Sequence, residues 1–169
     1  GQGDVSCRVG HGRCLRLGAF AVLDAAEERL SEPITRAAYD GHFMATTDER
    51  EPAPPVSLVI PGRDAEATLG PCLSAACAIL EDADSRLGEV IFVDDGSRDA
   101  TAEIASEFPV RLLSTGGQGA GAARNAGIRA ASSPLVWFVD SDCVAEPDAL
   151  RRLLPHMSDP GVGGVSGSY

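Results

Sequence analysis

Between residues 56 and 150, two kinds of apolar pattern take turns along the chain. V-S-L-V-I (56–60), E-V-I-F-V (89–93), V-R-L-L (110–113) and L-V-W-F-V (135–139) are short, rich in β-branched and aromatic residues, and close to uniformly apolar. Such runs predict strands buried on both faces, as in a parallel sheet. Between the first two, Leu69, Cys72, Leu73, Ala76 and Leu80 recur at helical spacing,. The stretch D-G-S-R-D-A-T-A-E-I-A (95–105) reads as a turn entering a helix capped by Asp99,. A Gly-rich turn over 116–121 leads into a further helix through about Ala130, and Pro147 is well placed as the first residue of another,. The closing V-G-G-V-S-G-S-Y reads as the entry of one more strand. The alternation predicts an α/β domain: a three-layer, Rossmann-like sandwich with a mostly parallel sheet covered on both faces.

Ahead of this unit the pattern differs. Residues 1–43 have a Gly-rich start, then a helical pattern with Phe20, Leu23 and Leu30 on one face,. Ser31 and Pro33 predict a helix restart and Gly41 a stop,. A helical extension is expected here, and Met44 is a candidate native start, with 1–43 an addition from upstream sequence. T-T-D-E-R-E-P-A-P-P (46–55) is a linker by composition,. The expected organisation is therefore 1–43, a Pro-rich linker over 44–55, and a folded domain over 56–169.

Composition narrows the chemistry. The net charge is −11, and all 14 basic residues are arginine. No stretch gathers enough positive charge to neutralise phosphates along a nucleic acid,. The five cysteines form neither a C-x-x-C pair nor a zinc-type spacing with histidine, which points to a reduced, cytoplasmic setting,. No apolar run approaches the ~18 residues of a membrane-spanning helix.

Three of the strands end in unusual polar strings: Pro61-Gly62-Arg63-Asp64, Asp94-Asp95-Gly96-Ser97 and Asp140-Ser141-Asp142. Each alone is ordinary turn chemistry. In an open α/β sheet, however, ligands bind outside the carboxyl ends of the strands, so all three fall on one edge. Five carboxylates brought together there repel unless a cation or bound donors offset them. Hard oxygen ligands of this kind suit Mg²⁺ or Mn²⁺ with a diphosphate completing the shell. Arg124, on the helix after the Gly-rich turn, is a second positive partner for such a diphosphate.

A rival reading starts from Gly117-Gln118-Gly119-Ala120-Gly121-Ala122, which fits G-x-G-x-x-A after a strand, with Asp140 as the ribose-binding acid of an NAD-type site,. That fingerprint usually opens the first βα unit, whereas two βα units precede it here, and it leaves Asp94, Asp95 and Asp142 without a role. A nucleotidyltransferase would carry a Gly-rich loop with a basic residue directly after the first strand, and P-G-R-D-A-E lacks the glycine run. A binding module without catalysis is a further alternative.

Together the strings V-S-L-V-I-P-G-R-D-A-E-A-T-L (56–69), E-V-I-F-V-D-D-G-S-R-D-A-T (89–101), G-A-G-A-A-R-N-A-G-I (119–128) and F-V-D-S-D-C-V-A-E-P-D-A-L (138–150) resemble family 2 glycosyltransferases. These are inverting nucleotide-sugar enzymes of the GT-A fold, and D-S-D-C-V is most similar to the mycofactocin-associated branch. The resemblance implies that Pro61, Arg63 and Glu66 line the base and ribose end of a nucleotide site. It implies that Asp95, or its neighbour Asp94, bonds the base, and that Arg124 and Asn125 flank the nucleotide. Asp140 and Asp142 would form the D-x-D element, Asp142 as direct ligand of Mn²⁺ or Mg²⁺ and Asp140 nearer the ribose and sugar. The implied partner is a UDP- or GDP-sugar, with the acceptor open. The family's general base lies well downstream of D-x-D, so it is expected beyond Tyr169, and the chain is expected to form a donor-binding half. Relatives often carry membrane segments further along, which implies a possible site at the inner membrane face. Gly62-Arg63-Asp64 departs from the small residue, Tyr and Asn of many relatives, which puts donor preference in doubt.

Overall fold

The computed structural model describes residues 54–159 and 161–167, together with the backbone of 7–8 and 17–22. Two strands, β1 (Cys7–Arg8) and β2 (Leu17–Val22), come first. The regular unit follows: β3 (Val56–Gly62), α1 (Leu69–Glu81), β4 (Leu87–Asp94), α2 (Thr101–Ser106), β5 (Arg111–Ser114), α3 (Ala120–Ala130) and β6 (Leu135–Val139). It closes with β7 (Val144–Ala145), α4 (Ala149–Leu153) and a 3₁₀ turn over Leu154–Ser158.

Five strands pair in the order β2-β6-β3-β4-β5, and β1 pairs with β7. Within the five-stranded sheet β3 runs parallel to both β4 and β6, β5 runs parallel to β4, and only β2 is antiparallel. Every residue of β3 is buried, as its central place and unbroken apolar run require,. Side chains then sort by strand alternation. Leu58, Ile60, Phe92 and Trp137 join Leu69, Leu73 and Leu150 in one core, while Val59, Ile91, Val93 and Val136 join Ala123 in the other. Helices α1 and α4 therefore cover one face and α3 the opposite one, giving three layers.

Helix α3, A-G-A-A-R-N-A-G-I-R-A, has few large apolar residues to bury. It packs by close approach instead: a Cβ on Gly127 would lie 2.2 Å from Val59 Cγ1. At the amino end of the sheet, the fully buried Ser57 is satisfied by donating to Glu89 Oε1 at 2.6 Å. Glu89 Oε1 also accepts the Ser132 N–H at 2.7 Å, and Ser133 N–H donates to Ser57 Oγ at 3.1 Å. Burial pushes the Glu89 carboxyl up, but the bonds from Ser132 and Ser57 and the Arg111 charge outweigh it, so the group lies below its ordinary range,.

The structure departs from the sequence expectations at several edges. Residues 17–22, expected in a helix with Phe20 on its face, form a strand instead. L-G-A-F-A-V carries a helix-weakening glycine, and its backbone finds ladder partners along β6 from Leu17↔Val139 to Val22↔Leu135,. Leu23, Leu30, Ser31, Pro33, Gly41, Met44 and the linker as far as residue 53 lie outside the described residues. Helix α4 begins at Ala149 with Asp148 as its N-cap, so Pro147 sits one residue ahead of the cap rather than at the first helical position. The N-cap of α2 is Ala100, although the Asp99 carboxylate still accepts the Thr101 N–H at 3.0 Å. Residues 161–167 form no strand; Gly161, Gly163, Gly164 and Gly167 make that stretch costly to extend into a ladder,. Among the described residues no helix is long and apolar enough to cross a membrane.

Candidate functional site

Parallel register brings the three polar strings to one edge. Gly62 pairs with Asp94, and Asp94 with Ser114, so β3, β4 and β5 end side by side, and β6 ends next to β3. Outside these ends lies a cavity of about 620 Å³. Pro61, Arg63 and Asp64 line it from β3 and the loop beyond, Asp95 from the end of β4, Gly119 and Ala123 from the start of α3, and Asp140 and Asp142 from the turn after β6.

The D-S-D string is a four-residue turn, closed by the Cys143 N–H donating to the Asp140 carbonyl at 2.9 Å,. Gly62 makes room for it, since a Cβ there would stand 3.0 Å from Ser141 Cβ and 2.8 Å from Phe92 Cε2. Two buried thiols lie underneath. Cys72 Sγ donates to the Asp140 carbonyl at 3.7 Å and Cys143 Sγ to Asp142 Oδ1 at 3.8 Å. Burial, and then the nearby Cys143, Asp142 and Asp140 charges, push the Cys72 thiol up to about 12, so it stays protonated and inert as a nucleophile,. Arg124 Nη2 donates to Asp140 Oδ1 at 2.7 Å.

Asp95 is 4% exposed, and each of its oxygens has a partner: Oδ1 accepts the Thr115 hydroxyl at 2.6 Å and Oδ2 the Gly119 N–H at 2.8 Å. The Thr115 bond chiefly, opposed by burial and helped by the Gly119 and Gln118 amides and the Arg63 charge, holds its carboxyl below the usual range,. Asp95 is therefore a fixed anion. Its two Gly-rich neighbours touch: Gly96 has φ 76°, and a Cβ there would lie 2.8 Å from the Gly117 nitrogen,.

The remaining candidates sit elsewhere. Asp94 is turned into its own loop, where Oδ1 accepts both the hydroxyl and the N–H of Ser97. Glu66 Oε2 accepts the Ala100 N–H at 3.1 Å, and Asn125 is exposed on α3; neither lines the cavity. Of the two partners of Asp95, Gly119 belongs to the Gly-rich motif, whereas Thr115 belongs to none of the motifs. Thr115 stands directly after β5, which was the available signal.

Asp140 and Asp142 line the cavity with carboxylate side chains, and among the described residues no group of three or more His, Cys, Asp and Glu is arranged to hold a metal ion. That donor set suits a hard cation needing one or two protein carboxylates and finishing its shell with phosphate oxygens and water. It does not suit zinc in a closed protein cage.

A family model described as Glycosyl transferase family 2 matches residues 57–169. Glycosyltransferase AglE of Haloferax volcanii is 34% identical over 121 residues, 68% of this chain and 39% of AglE. An N-acetylglucosaminyltransferase of Mesorhizobium japonicum is 35% identical over 127 residues, 69% of this chain and 29% of the relative. The chain thus spans well under half the length of these curated relatives. Among solved structures, glucosyl-3-phosphoglycerate synthase of M. tuberculosis superposes with a TM-score of 0.54 at 26% identity, over 62% of this chain and 40% of that one. TarS of S. aureus superposes with a TM-score of 0.51 at 26% identity, over 57% and 30%. The fold they share with this chain is GT-A. The matched span includes Asp94, Asp95 and Asp142, which a dinucleotide reading leaves without a role.

Proposed function

Because this chain belongs to glycosyl transferase family 2, we propose that its cavity binds a nucleotide-sugar donor and that the whole protein transfers the sugar to an acceptor hydroxyl with inversion. The observation that carries the reading is the convergence of Arg63, Asp95, Asp140 and Asp142 from three strand ends on one cavity.

Pro61, Arg63 and Asp95 form the base end. Asp95, held ionised and in place by Thr115 and Gly119, presents an acceptor to an N–H on the base edge,. The diphosphate lies toward the start of α3, whose first turn carries no acidic residue and whose Gly119, Ala120 and Ala123 border the cavity. A helix N-terminus supplies partial positive charge and free N–H groups to such an anion. Arg124 adds a full charge beside it, and Asn125 is the next residue along the same helix.

Asp142, with Asp140, would hold Mn²⁺ or Mg²⁺. The bound cation supplies charge stabilisation for the departing diphosphate. Asp140 orients the ribose and sugar next to it. The acceptor hydroxyl gives its proton to a general base as its oxygen attacks the anomeric carbon from the face opposite the diphosphate; the C–O bond to phosphate breaks with its electron pair leaving on the diphosphate, and one displacement inverts the centre. AglE, the Mesorhizobium relative and the synthase are named for sugar transfer, two of them for hexoses, which supports a hexosyl donor.

The test is a thermal-shift titration of UDP, GDP and NAD, each with and without Mn²⁺, on the wild type and on Asp142→Ala. A ligand that binds only the folded state raises the melting temperature by mass action. The expected result is stabilisation by one nucleoside diphosphate that requires both Mn²⁺ and Asp142. Stabilisation by NAD without metal, or by none of the three, overturns the reading.

A further inference from the structure

The loop after β3 and the loop after β4 are tied to each other by five bonds that cross 33 to 36 residues of sequence. Three consecutive amides of the first loop donate to side chains of the second loop and of Thr101, the first residue of α2. Asp64 N–H reaches Ser97 Oγ at 2.9 Å, Ala65 N–H reaches Thr101 Oγ1 at 2.7 Å, and Glu66 N–H reaches Asp99 Oδ2 at 3.1 Å. Two amides of the second loop donate back: Arg98 N–H to Asp64 Oδ1 at 2.8 Å and Ala100 N–H to Glu66 Oε2 at 3.1 Å. Glu66 and Asp99 are thus reciprocal, each carboxylate accepting from the other residue's loop. The Asp95 N–H, donating to the Gly62 carbonyl at 2.9 Å, continues the tie to the strand ends.

The two cavity groups of the base end sit directly beside this clasp: Arg63 precedes its first amide, and Asp95 lies two residues before Ser97. Most of the bonds are solvent-exposed and individually modest, so their value lies in acting together on two short loops,. We propose that Glu66 and Asp99 are positioning residues, a reciprocal clasp that holds Arg63 and Asp95 at the separation a nucleoside diphosphate needs. Glu66 therefore acts through the Ala100 amide and not by touching the nucleotide. This rests on the donor-binding reading above, and the clasp itself is testable without it.

The experiment compares Glu66→Gln, which keeps an oxygen to accept the Ala100 N–H, with Glu66→Ala, which does not. Backbone hydrogen exchange is followed by NMR at Ala100 and Arg98 in the ¹⁵N-labelled chain, and binding of UDP and GDP with Mn²⁺ by calorimetry. In Glu66→Ala, exchange at Ala100 is expected to rise and affinity for the bound nucleotide to fall, each by about fivefold to tenfold, the scale of one lost bond. Glu66→Gln should recover most of both. Unchanged exchange at Ala100 in Glu66→Ala overturns the clasp. Equal loss of affinity in Gln and Ala, with Ala100 protected in Gln, overturns it in favour of a direct nucleotide contact. A lower melting temperature with full affinity reduces the clasp to a structural tie and also overturns it. If neither nucleotide binds the wild type, the donor reading falls, and exchange at Ala100 still decides the clasp.

Discussion

Arg124 Nη2 and Asp140 Oδ1 stand 2.7 Å apart, joining the helix after the Gly-rich turn to the end of β6. Their side chains are 40% and 43% exposed, so the pair contributes only ~0.2–1 kcal/mol to folding,. Its importance lies in placing a guanidinium beside the D-S-D turn. Arg124→Gln should therefore shift the melting temperature little, while weakening nucleoside diphosphate binding about tenfold, the order expected for a lost charge-assisted bond. Calorimetric titration beside a thermal melt checks this; a large melting shift with full affinity would contradict it.

Gly127 should tolerate no side chain. With Val59 Cγ1 2.2 Å from a built Cβ, Gly127→Ala pushes α3 off the sheet and should cost ~1–3 kcal/mol in denaturant unfolding,. Adding Val59→Ala should recover part of that loss. A double-mutant cycle with no coupling would show that the clash is relieved elsewhere.

Acid should unfold the chain through its partnered carboxylates. Asp99, held chiefly by the Thr101 hydroxyl against burial, lies below its ordinary 3.8, and Glu89 lies below its ordinary 4.5. A carboxyl lowered in the folded state favours folding above its unfolded value, and the benefit is lost as pH falls through the folded value. Stability measured by urea midpoint should thus hold from neutral pH to about 4.5 and drop below it. Glu89→Gln should flatten the upper part of that drop, and an unchanged profile would remove Glu89 from the account.

The thiol of Cys72, pushed up to about 12, should resist alkylation in the native chain at pH 8,. Mass-spectrometric mapping after iodoacetamide should find Cys72 unmodified without denaturant and modified in guanidinium. Native modification at a rate like that of a free thiol would mean the packing under the D-S-D turn opens readily.

The central strands were legible because a run such as V-S-L-V-I fits only a strand buried on both faces, and β3 is buried along its whole length. The meeting of three polar strand ends followed from parallel pairing alone. Leu17–Val22 was not legible: Phe20 suits a helix face or a strand, and the deciding factor is a free ladder edge on β6, 113 to 122 residues away by the pairs Val22↔Leu135 and Leu17↔Val139. For Glu66 and Asp94, motif spacing places each residue on a loop but does not say which way its carboxylate turns. Asp94 turns back to Ser97, and Glu66 across to Ala100.

The clasp between the two loops draws three of its donors from the main chain at 64–66, and a main-chain donor survives every substitution except proline,. Position 63 stands next to these amides without supplying one, and its side chain is exposed. Its identity can drift while the loop keeps its shape. A saturation library at that single codon is therefore the natural starting point for testing whether position 63 sets the preference of the proposed donor site.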